Sequence, residues 1–210
     1  MNRNAVASFL CLALVIPVSG IIVLEFITTV PPLPELGDAA DFALFDQNNE
    51  SVSLKSTFLG RVLLIDFIYS SCEDAEFCFL STHKMTDLQN NLLKRGFTGT
   101  DFHLISISFD YKYENSSALK IYSEEHKANL TVWSFLFTNN RTEIERVGTS
   151  YNVTFDYISD LKLMNHSMSR TIVDSNGVIR FHSAKVPVDL NLENIIVQLI
   201  NQKNVQSLRL

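Results

Sequence analysis

The feature that most constrains the fold of this chain is a nearly uninterrupted apolar run, RVLLIDFIY, at 61–69. A run of this length without polar alternation is typical of a strand buried on both faces, at the centre of a sheet covered by helices. It ends just before Cys72, and a helical apolar spacing follows from Phe77 through Leu88 to Leu92. We therefore expect a central strand that leads through a cysteine-bearing turn into an amphipathic helix.

The rest of the chain alternates strand-like and helix-like segments. After the first helix come a strand, a helix, a strand, a helix, a hairpin and a last helix, at 102–110, 116–130, 132–137, 141–151, 170–183 and 192–202. An earlier hairpin is predicted where Asn48 and Asn49 separate two short alternating runs. Alternation of this kind predicts an α/β domain with a parallel sheet at its core.

The N-terminal segment has the composition of a membrane anchor. The stretch from Ala5 to Leu24 carries no charged residue and is long enough to span a bilayer as a helix. Arg3 precedes this stretch, whereas Glu25 and Asp38 follow it. Because positive charge tends to remain on the cytoplasmic side, the rest of the chain is predicted to lie outside the cytoplasm.

These features divide the chain into three parts. We predict a signal anchor or transmembrane helix at 1–27, a Pro-rich spacer at 28–37 and a folded domain at 38–204. Signal-peptidase cleavage after Val18–Gly20, where small residues are found, is the alternative to a retained anchor. The net charge of −6 provides no basic surface, so nucleic acid is not an expected partner.

Six Asn-x-Ser/Thr sequons agree with export from the cytoplasm. They begin at Asn49, Asn115, Asn129, Asn140, Asn152 and Asn165. The alternative is that a surface rich in Asn and Ser produces such triplets by composition alone. The sequons support the prediction of an exported domain without deciding it.

Cys72 and Cys78 are the chemically distinctive residues of the predicted strand–helix junction. Three readings are open from the residues alone: a structural disulfide, a redox-active dithiol, or two soft ligands for a metal. A helix N-terminus lowers the pKa of a nearby thiol, whereas neighbouring carboxylates raise it. The intervening sequence EDAEF carries three such carboxylates, which favour a bound cation over a strongly acidic thiol.

Three motifs resemble the Sco/SenC family, whose members are thioredoxin-fold copper proteins attached to membranes near respiratory oxidases. They are LLIDFIYSSC at 63–72, LISISFD at 104–110 and NHSMSRTIVDSNGVIR at 165–180. The resemblance covers roughly 36–200 and implies a thioredoxin-like fold, with a mixed central sheet flanked by helices. It also implies a copper ion bound by Cys72, Cys78 and a loop histidine, His166. Asp110 matches an aspartate of the family that would support the copper ligands without binding the metal itself. Asp110 would equally suit capping of the turn into the next helix.

The chain departs from the family pattern at the cysteines. Five residues separate them instead of three, and no proline stands beside either one. Zinc is the competing metal, but His83, the nearest additional ligand, lies about 140° around a helix from Cys78. Two thiolates and an imidazole instead suit copper.

The resemblance implies delivery of copper to a respiratory oxidase subunit or to another copper protein. The alternative is a thiol–disulfide oxidoreductase that uses Cys72 and Cys78 as its redox pair. No proline precedes the late strand at Met168 to Arg170, where such reductases carry one, and this favours the copper carrier. A disulfide has no thiolate to bind metal, so oxidation is expected to abolish copper binding.

Overall fold

The apolar run at 61–69 forms the central strand β3, Val62–Ile68, and all of its residues are buried. β3 pairs in parallel with β4, Phe102–Ser108, and β4 pairs in parallel with β5, Trp133–Phe137. On its other side β3 pairs antiparallel with β8, Arg170–Val173. The predicted central strand is therefore confirmed.

The computed structural model describes residues 31–72, 80–158, 163–184 and 192–207. The other strands are β1, Ala43–Asp46; β2, Ser51–Ser53; β6, Phe155–Ile158; β7, Leu163–His166; and β9, Ile179–Ser183. A short π-helix, Leu54–Phe58, follows β2, and the α-helices are α1, Leu80–Lys94; α2, Ser116–Glu125; α3, Arg141–Ser150; and α4, Leu192–Ser207. Each predicted segment after residue 40 thus has a counterpart of the expected type.

The main sheet has the strand order β2-β1-β5-β4-β3-β8-β9. β1 pairs antiparallel with both β2 and β5, and β9 pairs antiparallel with β8. The sheet is therefore mixed, as the family resemblance implied, whereas alternation alone predicted only its parallel centre. The two hairpins add the antiparallel pairs, because short turns join only antiparallel neighbours.

Two hydrophobic cores cover the faces of this sheet. Leu63, Ile65 and Phe67 of β3 point into one core, which α3 closes with Ile144 and Val147. The alternate residues of β3 point into a second core, which packs against α1, α2 and α4. Burial on both faces explains why β3 reads as an apolar run rather than as an alternating one.

Turn residues end several elements as their chemistry predicts. Gly96 follows α1 with φ of +87°, and Gly177 lies in the β8–β9 hairpin with φ of +91°. Asn49, in the β1–β2 turn, also has a positive φ, of 64°. These backbone conformations suit glycine and, among the other residues, asparagine.

A two-stranded ribbon of β6 and β7 stands apart from the main sheet and was not predicted. In its antiparallel register Phe155 lies opposite His166, and Tyr157 lies opposite Met164. The ribbon corrects one expectation, because His166 is the last residue of a strand rather than part of a loop. The strands are four residues each, too short for their alternation to be read from sequence.

The residues that precede β1 are hydrogen-bonded to the β8–β9 hairpin. The Leu36 amide donates to the Ile179 carbonyl at 2.9 Å, and the Ile179 amide donates to the Gly37 carbonyl at 2.8 Å. Arg180 adds ion pairs to Glu35 and Asp174. Part of the predicted spacer at 28–37 is thus joined to the domain.

The predicted anchor at 1–27 lies outside the described residues. Within the part of the chain that is described, no helix combines the length and apolar character needed to cross a membrane.

Candidate metal centre

Cys72 lies just beyond the carboxyl end of β3. Its amide donates to the Tyr69 carbonyl at 3.1 Å, which closes a tight turn after the strand. The Cys72 side chain is half-buried against the α3-side core and is disulfide-bonded. Cys78 and Cys11, the other cysteines of the chain, lie outside the described residues. The predicted role of Cys78 therefore stays a prediction.

His166 is held in a defined orientation at the end of β7. Its ring packs on Phe109, with ring centroids 4.6 Å apart, and its Nδ1 lies 3.2 Å from the Ser167 carbonyl oxygen. A carbonyl only accepts hydrogen bonds, so Nδ1 is the nitrogen that carries the proton. In the neutral imidazole this leaves the lone pair on Nε2, which is the tautomer that a histidine bound to a metal through Nε2 requires.

An aromatic stack connects the histidine to the strand that precedes Cys72. Phe109 stacks on Tyr69 at 5.9 Å and on Phe155 at 5.4 Å, and it also contacts His166. Tyr69 is the residue whose carbonyl accepts from Cys72. The two predicted ligand positions therefore lie at the same end of the sheet, joined through two aromatic rings.

A small recess opens at this end of the sheet. It is lined by the end of β3, the first turn of α1, one residue of α2 and the segment after β7: Phe67, Ile68, Tyr69, Ser81, Thr82, Tyr122, His166 and Met168. Among the described residues, no group of three or more His, Cys, Asp or Glu side chains is placed to hold a metal. Cys78 lies outside this part of the chain.

Asp110 is buried and caps the turn that follows β4. Its Oδ1 accepts from the amides of Lys112 and Tyr113, each at 3.1 Å. This geometry corresponds to the capping alternative, in which the carboxylate holds the chain for its entry into α2. A contribution of Asp110 to copper binding stays a prediction.

Glu114 is a buried acid that sequence reasoning missed. Its Oε2 accepts from the Ser70 hydroxyl at 2.6 Å and from the Ser108 hydroxyl at 2.7 Å. Burial raises the pKa of Glu114, although both serine hydrogen bonds lower it. No signal in the sequence indicates this contact, because it is the parallel register of β3 and β4 that brings Ser70 and Ser108 to one edge. Glu114 thereby supports the turn that leads to Cys72.

Arg170 links the two segments that carry the predicted ligands. Its Nη2 donates to the carbonyl and the hydroxyl of Ser81, at 2.9 and 3.0 Å, in the first turn of α1. Directly opposite in the β3–β8 register is Asp66, and both side chains are buried. Burial raises the pKa of Asp66, while the Arg170 charge lowers it. Neither residue was singled out from sequence.

Three of the other described histidines, His103, His182 and His126, have structural surroundings. His103 is buried beside the Ser134 hydroxyl at 2.9 Å, and burial, with a smaller contribution from Arg61, lowers its pKa to about 3. His182 contacts the Thr171 hydroxyl, and the ring of His126 packs on Tyr122. His83 is exposed and does not line the recess.

Known protein structures share the fold described above. No curated protein matches the chain by sequence. A SCO1/SenC lipoprotein from Bacillus anthracis superposes with a TM-score of 0.70 at 20% identity, covering 81% of this chain and 98% of that one. BsSco is described as a member of the Sco family of cytochrome c oxidase assembly proteins. It superposes with a TM-score of 0.66 at 24% identity, covering 82% of this chain and 98% of that one. Yeast Sco1, solved with copper bound, superposes with a TM-score of 0.63 at 21% identity, covering 80% of this chain and 90% of that one.

These structural likenesses identify the fold as that of the thioredoxin-like Sco proteins. The family itself is identified by sequence, because the SCO1/SenC family model matches residues 35–199. The match includes the cysteine-bearing turn, the ribbon with His166 and the β8–β9 hairpin. This chain is therefore a member of the SCO1/SenC family.

Proposed function

We propose that this protein binds copper through Cys72, Cys78 and His166 and delivers it to the copper site of a respiratory cytochrome oxidase. The observation that carries the proposal is the state of His166: its proton is on Nδ1, and its ring lines the recess where the turn bearing Cys72 begins. Membership of the SCO1/SenC family and the copper-bound yeast relative support the same metal.

The donor set fits copper on chemical grounds. Two thiolates and one imidazole are soft ligands that suit Cu(I) and, in another geometry, Cu(II). Copper is here a cargo, so the site must release it as well as bind it. Cys72 is only half-buried and follows a turn at the sheet edge, where an acceptor's own ligands have access.

The surrounding residues would act by orienting the ligands. Phe109 holds the plane of the His166 ring, and the Ser167 carbonyl holds its proton on Nδ1. Arg170, through Ser81, ties the chain just after His166 to the first turn of α1. A ligand held in its binding orientation loses less freedom when copper arrives, which favours affinity.

We propose that the domain acts on the extracytoplasmic side of a membrane, anchored by 1–27, with an oxidase subunit or another copper protein as its partner. The charge distribution around the apolar N-terminal stretch supports this topology. A relative described as a lipoprotein and another from a family of oxidase assembly proteins support the membrane and the partner.

A thiol–disulfide oxidoreductase is the second candidate function. It is favoured by one observation, the disulfide that holds Cys72. Reduction of that disulfide would be required before copper binding, because a thiolate is the metal ligand. The same chemistry would let the protein reduce the cysteines of a partner.

Copper stoichiometry of the full chain, purified in detergent, tests the proposal. After reduction and removal of the reductant without oxygen, the chain should bind about one copper with a thiolate–copper absorption band. The double variant Cys72→Ser, Cys78→Ser should lose both, whereas Cys11→Ser, which removes the third cysteine, should keep them. Equal copper uptake by the double variant would refute the site.

A further inference from the structure

Met168 is a soft ligand in the same recess as His166. The two side chains are separated by one residue in the chain and both line the recess beside β3 and α1. Both are half-buried, so they are reachable from solvent and yet positioned by neighbours. A thioether beside an imidazole with an available Nε2 is a recognisable pair of copper ligands.

The other described methionines have different surroundings. Met85, a residue of α1, is 1% exposed in the core on one face of the sheet, and Met164 is 9% exposed in the core on the opposite face. Met168 belongs to neither core. Its side chain is therefore required by neither core and lines the recess instead.

We propose that His166 Nε2 and Met168 Sδ form a Cu(I)-binding pair that works when Cys72 is in its disulfide. This inference rests on the proposed function for the identity of the cargo, and it adds a ligand that the three-residue site does not contain. Thioether sulfur selects Cu(I), and Cu(I) accepts two ligands in a linear arrangement. Binding by this pair moves no electron, and the neutral imidazole that binds keeps its proton on Nδ1.

The pair changes the expected effect of oxidation. Sequence reasoning predicts that a disulfide at Cys72 abolishes copper binding altogether. With His166 and Met168 in one recess, oxidation should instead remove only the thiolate-bound state and leave a weaker one that is selective for Cu(I). Copper would thus remain at the protein while its thiols are regenerated.

Cu(I) affinity of the oxidised full chain, measured without oxygen against a chromophoric Cu(I) chelator, tests the inference. Met168→Leu should weaken binding by at least the roughly tenfold that loss of an outer partner of a metal ligand costs. Met164→Leu is the matched control: it makes the same substitution two residues before His166 and should leave the affinity within about twofold of wild type. Both substitutions nearly conserve volume, so folding should be retained.

X-ray absorption at the copper edge gives a second readout. Oxidised wild type loaded with Cu(I) should show a sulfur neighbour that disappears in Met168→Leu and persists in Met164→Leu. If Met168→Leu binds Cu(I) as well as wild type does, or if only the reduced chain binds copper, the inference is overturned while the proposed function stands. If neither redox form of wild type binds copper, both fail.

Discussion

Replacement of Arg170 with Met should destabilise the domain by about 3–5 kcal/mol, because it leaves Asp66 as an uncompensated buried acid. Arg170 and Asp66 are only 4% and 2% exposed, and they face each other across β3 and β8. The variant also loses both hydrogen bonds from Nη2 to Ser81. Hydrogen bonds from a charged donor contribute about 1.5–3 kcal/mol each, so their loss alone reaches this range.

Protonation of Asp66 limits the loss of stability in Arg170→Met. Burial already raises the pKa of Asp66 and the Arg170 charge opposes that rise, so removing the arginine raises the pKa further. The folded state then holds the proton more tightly than the unfolded state does. Stability of Arg170→Met should therefore fall more steeply than that of wild type as the pH rises above the unfolded pKa of 3.8.

Urea unfolding followed by tryptophan fluorescence measures this effect directly. Trp133 is the only tryptophan, and its indole donates to the Ser106 hydroxyl, which in turn donates to Asp66. Arg170→Met, Asp66→Leu and the double variant complete a mutant cycle in one redox state. The double variant should be more stable than Arg170→Met by about 2 kcal/mol, because no buried charge remains without a partner. Strictly additive losses would refute the coupling.

Three further predictions concern the site and its surroundings. His166→Ala should lose Cu(II) binding almost completely, whereas disulfide exchange at Cys72 should change little because exchange depends on thiolates and not on the imidazole. If cells with this variant mature the oxidase normally but cells with Cys72→Ser do not, the function as a thiol–disulfide reductase is favoured. Glu114→Gln should remove a loss of stability that develops as the pH rises above 4.5, because burial raises the folded pKa of Glu114 above that unfolded value and the folded state binds the proton more tightly. Urea midpoints of variant and wild type between about pH 4 and 8 test this, and parallel profiles would contradict it. In a glycosylating host, Asn165 should stay largely unglycosylated because it adjoins His166. Asn129, which is exposed and whose Oδ1 accepts from the Thr131 hydroxyl at 2.7 Å, should be glycosylated. Mass spectrometry of copper-loaded protein that finds Asn165 fully modified would show this to be wrong.

Local sequence patterns were sufficient to predict most of the elements. The apolar run at 61–69 predicted β3 because burial on both faces leaves no polar alternation. Gly96 ends α1, and Asn49 and Gly177 supply the positive φ values of the two hairpins, as their residue types indicate. Short motifs also identified the family, which the model match over residues 35–199 confirms.

The surroundings of individual side chains required the tertiary structure. Sequence patterns gave no reason to expect Glu114 between two serines from different strands, or Arg170 opposite Asp66. The β6–β7 ribbon, which orients His166 against Phe109, was also missed, because its strands are short and their pairing depends on turns and packing.

The sequence by itself determined the order of strands and helices outside the β6–β7 ribbon, the family and the residue types that can bind copper. The tertiary structure decided which nitrogen of His166 is available and that Met168 shares its recess. The physical reason is range. Periodicity and turn chemistry act between residues a few positions apart, whereas burial, tautomer and pKa depend on groups that the fold brings together from distant parts of the chain.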